Sequence, residues 1–192
     1  MNHFFAILSR MKYINRWGLM RNTRNENLSE HSLDVAITAH ALAIIGNRYF
    51  GKSYDPDRAA ALSMFHDTAE IITGDLPTPV KYFNPEINKA YQKIEGVATE
   101  KLLSYLPGEL KEDYAPYFHI ASRDEALKPL IKAADKITAL IKCIEEQKMG
   151  NSEFSKAALS IRKAIDEMKL PEADHFIKEF LDSFSLTLDE QE

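Results

Sequence analysis

At 192 residues the chain suits a single domain, and 45% hydrophobic with 28% charged residues is the make-up of a soluble globular protein with a sizeable core. A net charge of −5 argues against general nucleic-acid binding, which needs a basic footprint, and no apolar run approaches the ~20 residues of a membrane span. The lone cysteine, Cys143, forms no intrachain disulfide, and Met1–Phe5 has neither the basic flank nor the cleavage site of a signal peptide, so the expected setting is a reducing cytoplasm.

Every strong period in the chain is helical. Phe4, Ile7, Leu8, Met11 and Ile14 mark a first helix running toward Arg16-Trp17-Gly18. Met20 to Leu28 is polar and reads as loop. Asn27 or Ser29 caps a second helix with the stripe Leu33, Ala36, Ile37, Ala41, Ile44 and Ile45. A central helix follows, with Asp55 as N-cap, Pro56 in the first turn, Leu62, Phe65, Ala69 and Ile72 as its core face, and Gly74 as its stop. Prolines two apart make Asp75-Leu76-Pro77-Thr78-Pro79 irregular. Asn84-Pro85 opens a helix with Ile87, Tyr91, Ile94, Ala98 and Leu102 inward. A short segment carries Tyr114 to Ile120. Pro129 to Met149 is a long helix with Leu130, Ala134, Ile137, Ile141 and Ile144 inward and Gly150 as its stop, with Cys143 a small buried hydrophobe. Ser152 to Met168 and Pro171 to Phe184 complete an all-α domain of about seven helices, and the tail from Ser185 is nondescript. Alternating strand patterns are missing.

Several polar residues break these apolar patterns. In Met64-Phe65-His66-Asp67-Thr68-Ala69-Glu70, helical spacing makes His66 and Asp67 neighbours of Glu70, so an imidazole and two carboxylates converge from one helix. Adjacent residues diverge by about 100°, so His66 and Asp67 cannot complete a metal shell without other segments. Asp135 sits beside the inward positions of the long helix, where a carboxylate is costly unless paired or metal-bound; its bland alternative is a salt bridge to Lys132, Lys136 or a neighbouring helix. His31 lies in the first turn of the second helix. Arg16 alone reads as a solvated charge, Trp17 as core and Asp75 as a turn residue.

The order of a histidine at 31, a His-Asp pair at 66 and 67 and an aspartate at 135, each on a different helix, resembles the HD-domain superfamily of metal-dependent phosphohydrolases. Two imidazoles and two carboxylates suit Mn²⁺, Fe²⁺, Co²⁺, Ni²⁺ or Zn²⁺. Arg16-Trp17, Ser29-Glu30-His31-Ser32, His66-Asp67-Thr68-Ala69-Glu70, Thr73-Gly74-Asp75-Leu76-Pro77-Thr78-Pro79-Val80-Lys81-Tyr82 and Ala133-Ala134-Asp135-Lys136 together resemble the YfbR-like 5′-deoxynucleotidases, in order over roughly residues 1 to 180.

That resemblance implies a single HD domain over 1–192. It further implies removal of phosphate from deoxyribonucleoside 5′-monophosphates, a divalent metal with cobalt favoured over Mn²⁺, Zn²⁺, Ni²⁺ or Mg²⁺, and a homodimer. Carried across by motif, His31, His66, Asp67 and Asp135 hold the metal, and His31 and Asp67 also border the substrate. Arg16 orients the phosphate, Trp17 with Asp75, Leu76, Pro77 and Thr78 lines the nucleoside end, and Glu70 handles protons; Lys81 adds positive potential. Two-metal HD enzymes add two histidines between the His-Asp pair and the last aspartate. Only His119 lies there, which favours one ion. Alarmone-hydrolysing relatives carry a second acid after the glutamate, where this chain has Ile71. Another HD phosphohydrolase, acting on triphosphates or alarmones, and a non-catalytic nucleotide-binding module are the alternatives.

Overall fold

A computed structural model describes residues 1–81 and 83–192; Tyr82, the last residue of the Thr73–Tyr82 stretch quoted above, lies outside the described residues. Its helices are α1 (Phe4–Leu8), α2 (Leu28–Tyr49), α3 (Pro56–Met64), α4 (Glu70–Thr73), α5 (Thr78–Lys81), α6 (Pro85–Leu103), α7 (Gly108–Phe118), α8 (Lys128–Lys148), α9 (Ser155–Met168) and α10 (Pro171–Phe180). Three of these, α1, α4 and α5, are turns of four or five residues, leaving seven longer helices. Short 3₁₀ turns cover Ser9–Tyr13, Ser122–Leu127, Ser152–Phe154, Leu181–Ser185 and Leu188–Glu190. Among the described residues no strand occurs, only an isolated bridge between Asn15 and Asn27, and no helix is long and apolar enough to cross a membrane. The all-α expectation is met.

Local chemistry sets the helix starts. Asn27 Oδ1 accepts from the Ser29 and Glu30 amides while the Glu30 carboxylate accepts from the Asn27 amide, a reciprocal cap that opens α2. Asp55 and Asn84 cap α3 and α6 ahead of prolines in the first turn. The first predicted helix is shorter than its apolar spacing suggests. It tightens to 3₁₀ at Ser9 and ends at Tyr13, after which Ile14 is extended. The 152–168 segment likewise opens with 3₁₀, α7 begins earlier than expected, at Gly108, α10 gives way to 3₁₀ at Leu181, and Thr78–Lys81 forms one helical turn because Pro79 falls in a first turn, where proline is tolerated.

The main correction concerns the central helix. It ends at Met64, and Phe65–Ala69 pass through successive turns before α4 begins at Glu70. The amides of Phe65, His66, Thr68 and Glu70 bond three residues back, to Leu62, Ser63, Phe65 and Asp67. This tighter winding turns His66 and Asp67 away from a plain helical face. Ile72, expected inside, is half exposed on α4.

Two predicted apolar stripes are also partly outside. On α2, Leu33, Ile37 and Ile44 are exposed, while Val35, Ala36, Ala39, Leu42, Ala43 and Ile45 are buried. The helix buries its small-residue face because its neighbours come close; a Cβ at Gly46 would stand 2.7 Å from the Tyr54 ring. On α6, Ile87 and Ile94 face solvent while Tyr91, Ala98 and Leu102 are buried. The principal core lies between α2, α3, α8 and α10, with Leu42, Leu62, Leu130, Ile137 and Phe176 inside. A second cluster joins Phe4, Leu103 and Leu106 beneath the aromatic rings of Tyr114 and Phe118. Cys143 is fully buried, as expected, and burial pushes its thiol up to about 12.

Candidate active site

The N-terminal turn of α2, the Phe65–Ala69 turns and the first third of α8 meet at one end of this core. His31, His66, Asp67 and Asp135 each bring one ligand atom there, and these atoms all lie within 4.8 Å of one another. His31 is fully buried, and its Nε2 lies 3.1 Å from Asp135 Oδ1 and 3.7 Å from Asp67 Oδ2. Of the salt-bridge partners expected for Asp135, Lys132 and Lys136 form none among the described residues, and its contact is with His31 on the neighbouring α2.

His66 Nδ1 sits 2.6 Å from the Ser63 carbonyl oxygen. A carbonyl only accepts, so Nδ1 carries the hydrogen and Nε2 is left to face the cluster. That Nε2 is 3.0 Å from Asp67 Oδ2 yet off any hydrogen-bond direction, a buried nitrogen without a hydrogen-bond partner. Imidazole nitrogens and carboxylate oxygens converging at this spacing, one of them orphaned, fit a divalent cation of the first transition row.

The charges reinforce one another. Burial disfavours the His66 imidazolium, but Asp67 outweighs it and the ring is pushed up to about 9. Burial likewise opposes ionisation of Asp67, and His66 and Arg16 overcome it, holding that carboxyl well below its usual range. Asp135 is also lowered, its burial offset by the bond from His31.

Arg16 is buried rather than solvated. Its Nε lies 3.2 Å from Glu26 Oε2 and its Nη1 3.4 Å from Asp67 Oδ2. Burial works against its charge, and the carboxylates of Asp67, Asp135, Glu26 and Asp75 more than compensate.

Trp17 adopts φ of 60°, a left-handed backbone rare for a bulky side chain and costing on the order of 1–3 kcal/mol. Its amide donates to Asp75 Oδ2 at 3.2 Å, its indole Nε1 donates to Glu26 Oε2 at 2.9 Å, and its ring lies 5.2 Å from Phe154. Asp75 is therefore more than a turn residue, since it fixes the strained tryptophan. It follows Gly74, whose φ of 74° suits glycine. Leu76 and Pro77 are half buried and Thr78 exposed; among the described residues no hydrogen bond joins these three to the cluster. Lys81 pairs with Glu95 at 3.0 Å and lies over the Tyr91 ring.

Glu70 is 5% exposed, and its Oε2 has no partner. Burial, then the charges of Asp67 and Asp75, push it up to about 9, against the pull of Arg16 and Lys81. The helix break leaves it at the start of α4, still beside Asp67. Two further histidines lie elsewhere: His40 faces Asp57 and His119 faces Glu100 on the surface.

The residue that sequence reasoning missed is Glu26. It sits in a polar segment without periodicity, and it touches Arg16 and Trp17 while its Oε1 stands 3.8 Å from His31 Nδ1. Its only sequence signal is an acid five residues before His31.

With that arrangement established, similarity to known proteins is informative. The family described as 5′-deoxynucleotidase YfbR-like matches residues 3–184. The chain belongs to the YfbR-like 5′-deoxynucleotidase family. It is 52% identical over 189 residues to a 5′-deoxynucleotidase of Vibrio parahaemolyticus, covering 98% of this chain and 97% of that protein. It is 53% identical over 190 residues to one of Photorhabdus laumondii, covering 99% and 96%. Among solved structures, an HD-domain phosphohydrolase from Listeria innocua superposes with a TM-score of 0.83 at 22% identity, over 95% of this chain and 88% of that one. A cyanophage S-2L HD phosphohydrolase, bound to dA and one catalytic Zn²⁺, superposes at 0.65 with 19% identity, over 93% and 96%. At these identities the structural likeness shows a shared HD-domain fold.

Proposed function

We propose that this protein removes phosphate from deoxyribonucleoside 5′-monophosphates, with one divalent ion held by His31, His66, Asp67 and Asp135. Family membership makes it a phosphomonoester hydrolase. The single observation that carries the site is the convergence of those four ligand atoms within 4.8 Å, beside a buried arginine. A divalent ion at such a site supplies charge neutralisation and a water of lowered pKa, from 15.7 toward about 7.

The chain's own residues do the rest. Arg16 spends Nε on Glu26 and Nη1 on Asp67, which leaves Nη2 to bind a phosphoryl oxygen, with a charge that never titrates away. Trp17 gives the nucleoside a rigid wall, held by Glu26 and Asp75 and backed by Phe154, where a 2′-hydroxyl is excluded by shape. His31 and Asp67 border the same space, and Leu76, Pro77 and Thr78 close the nucleoside end. Glu70, beside Asp67, is placed to accept a proton from the attacking water and pass one to the departing 5′-oxygen. A cation engaging Asp67 reduces the push on Glu70, so its proton is released more readily there.

Cobalt is the favoured ion, and a homodimer in the cytoplasm belongs to the same reading, supported by the family resemblance and by a lone, buried Cys143. The test is a panel of nucleotides assayed for released phosphate. Deoxyribonucleoside 5′-monophosphates should be cleaved with weak dependence on base, and ribonucleotides and 3′-monophosphates poorly. Equal kcat/KM on AMP and dAMP, or a preference for triphosphates, would contradict the proposal.

A further inference from the structure

One carboxylate ties together the two residues that meet the substrate. Glu26 Oε2 accepts from Arg16 Nε at 3.2 Å and from Trp17 Nε1 at 2.9 Å, so a single oxygen fixes the guanidinium and the indole relative to each other. All three side chains come from one stretch, and backbone bonds hold its two arms independently of that carboxylate. The Arg16 amide donates to the Glu26 carbonyl, and the Leu28 amide donates to the Ile14 carbonyl, both at 2.9 Å.

The side chain is therefore not needed to bring the arms together. What it adds is direction. Arginine and tryptophan are long side chains whose conformational freedom must be removed before they bind a ligand in one pose. Glu26 is 12% exposed at its side chain, so its charge-assisted bonds are little screened. With Nε held by Glu26, Nη1 reaches Asp67 of the cluster at 3.4 Å.

We propose that Glu26 is the positioning residue of this site. It aims Arg16 at the phosphate and locks Trp17 as the nucleoside wall, without itself touching substrate. This inference rests on Arg16 and Trp17 meeting the substrate as proposed above, and its test separates the two ideas.

The chain has one tryptophan, so intrinsic fluorescence reports on Trp17 alone. Metal-loaded Glu26→Ala, Glu26→Gln and Arg16→Ala proteins should be compared by dAMP kinetics, Trp17 emission and anisotropy, and titration of Co²⁺ into the metal-free forms. Glu26→Ala should raise KM for dAMP by up to about a hundredfold. Its Trp17 anisotropy should fall, while Co²⁺ affinity stays within about threefold of the parent and kcat changes less than KM. Glu26→Gln keeps an accepting oxygen in the same place, so it should recover most of the KM and the anisotropy. That rescue is not expected of a residue that merely stabilises the loop, and the glutamine variant carries the test if the alanine variant does not fold. Parental KM and anisotropy in both Glu26 variants, alongside a raised KM in Arg16→Ala, would overturn the positioning role. A parental KM in Arg16→Ala would instead overturn the phosphate role of Arg16 on which it rests.

Discussion

Two clusters of buried charge draw on α8, one at Asp135 and one at Glu146, and they are built in opposite ways. Between α8 and the Arg21–Arg24 loop, Glu146 is 1% exposed and fully satisfied. It accepts from the Thr23 amide and hydroxyl, the Arg24 amide, Asn151 Nδ2 and Lys142 Nζ. Burial would raise its pKa, but those donors win and hold the carboxyl below its ordinary range. In the HD cluster, Glu70 Oε2 and His66 Nε2 are buried without hydrogen-bond partners, and burial, with the charges of Asp67 and Asp75 behind it, pushes the Glu70 carboxyl up to about 9. A buried charge whose bonds are all made is architecture. A buried set whose bonds are unmade is suited to receiving something from outside, at a cost to the stability of the free protein.

Removing one side chain from each cluster should have opposite effects. Asp135→Ala should lower phosphate release by at least about a thousandfold, since charge stabilisation by a metal ion is worth several kcal/mol and each 1.36 kcal/mol is tenfold. Its thermal stability without metal should change little, the lost bond from His31 being offset by relief of the repulsion from Asp67. Full occupancy and activity in that variant would remove the carboxylate from the site. Glu146→Ala should do the reverse. Leaving Lys142 buried beside a missing partner costs about 3–5 kcal/mol, and Tm falls by about 2–4 °C for each of these in a chain of this size. A calorimetric scan showing no change would mean that the satisfied cluster is not structural.

Glu70 sharpens the contrast further. Glu70→Ala should lower kcat about 10²–10⁴-fold with Co²⁺ binding and the fold retained; lost metal would make Glu70 a ligand, and a near-normal kcat would end its proton role. The same residue predicts a pH effect. Its folded value, about 9, lies above the ordinary 4.5. A raised folded value means that the stabilisation is present below the unfolded value and is lost as pH rises through the folded one. Metal-free protein should therefore lose stability between about pH 4.5 and 9, and Glu70→Gln should flatten that part of the curve. A Tm profile of parallel slope in the two proteins would contradict the assignment. The smallest expected effect concerns His66, whose ring is pushed up to about 9. An ion must displace its proton, so Co²⁺ affinity should rise by about tenfold per pH unit between 6.5 and 8.5. A flat profile would mean that His66 already faces the ion unprotonated.

The convergence of the HD dipeptide with Asp135 is legible in the sequence because these are polar residues set into apolar patterns, and burying them without a purpose is costly. Helix starts are legible for a similar reason, because Asn27, Asp55 and Asn84 act locally. The turns at Phe65–Ala69 are not, since their apolar spacing fits a helix and the deviation serves a distant cluster. Leu33, Ile37, Ile44, Ile87 and Ile94 mislead because periodicity detects an apolar face and cannot say whether a neighbour covers it. The clasp on Glu146 pairs residues more than a hundred positions apart, and Glu26 lies in a loop; neither leaves a periodic trace.

Whether one ion at the four-residue cluster drives phosphate release from deoxyribonucleoside 5′-monophosphates is decided by titrating Co²⁺ into metal-stripped protein while measuring phosphate released from dAMP. Activity should be absent without the ion and should rise linearly to a plateau at about one ion per chain, in keeping with the four-ligand set. Undiminished phosphate release from the metal-stripped protein, or a plateau reached only at two ions, would contradict it.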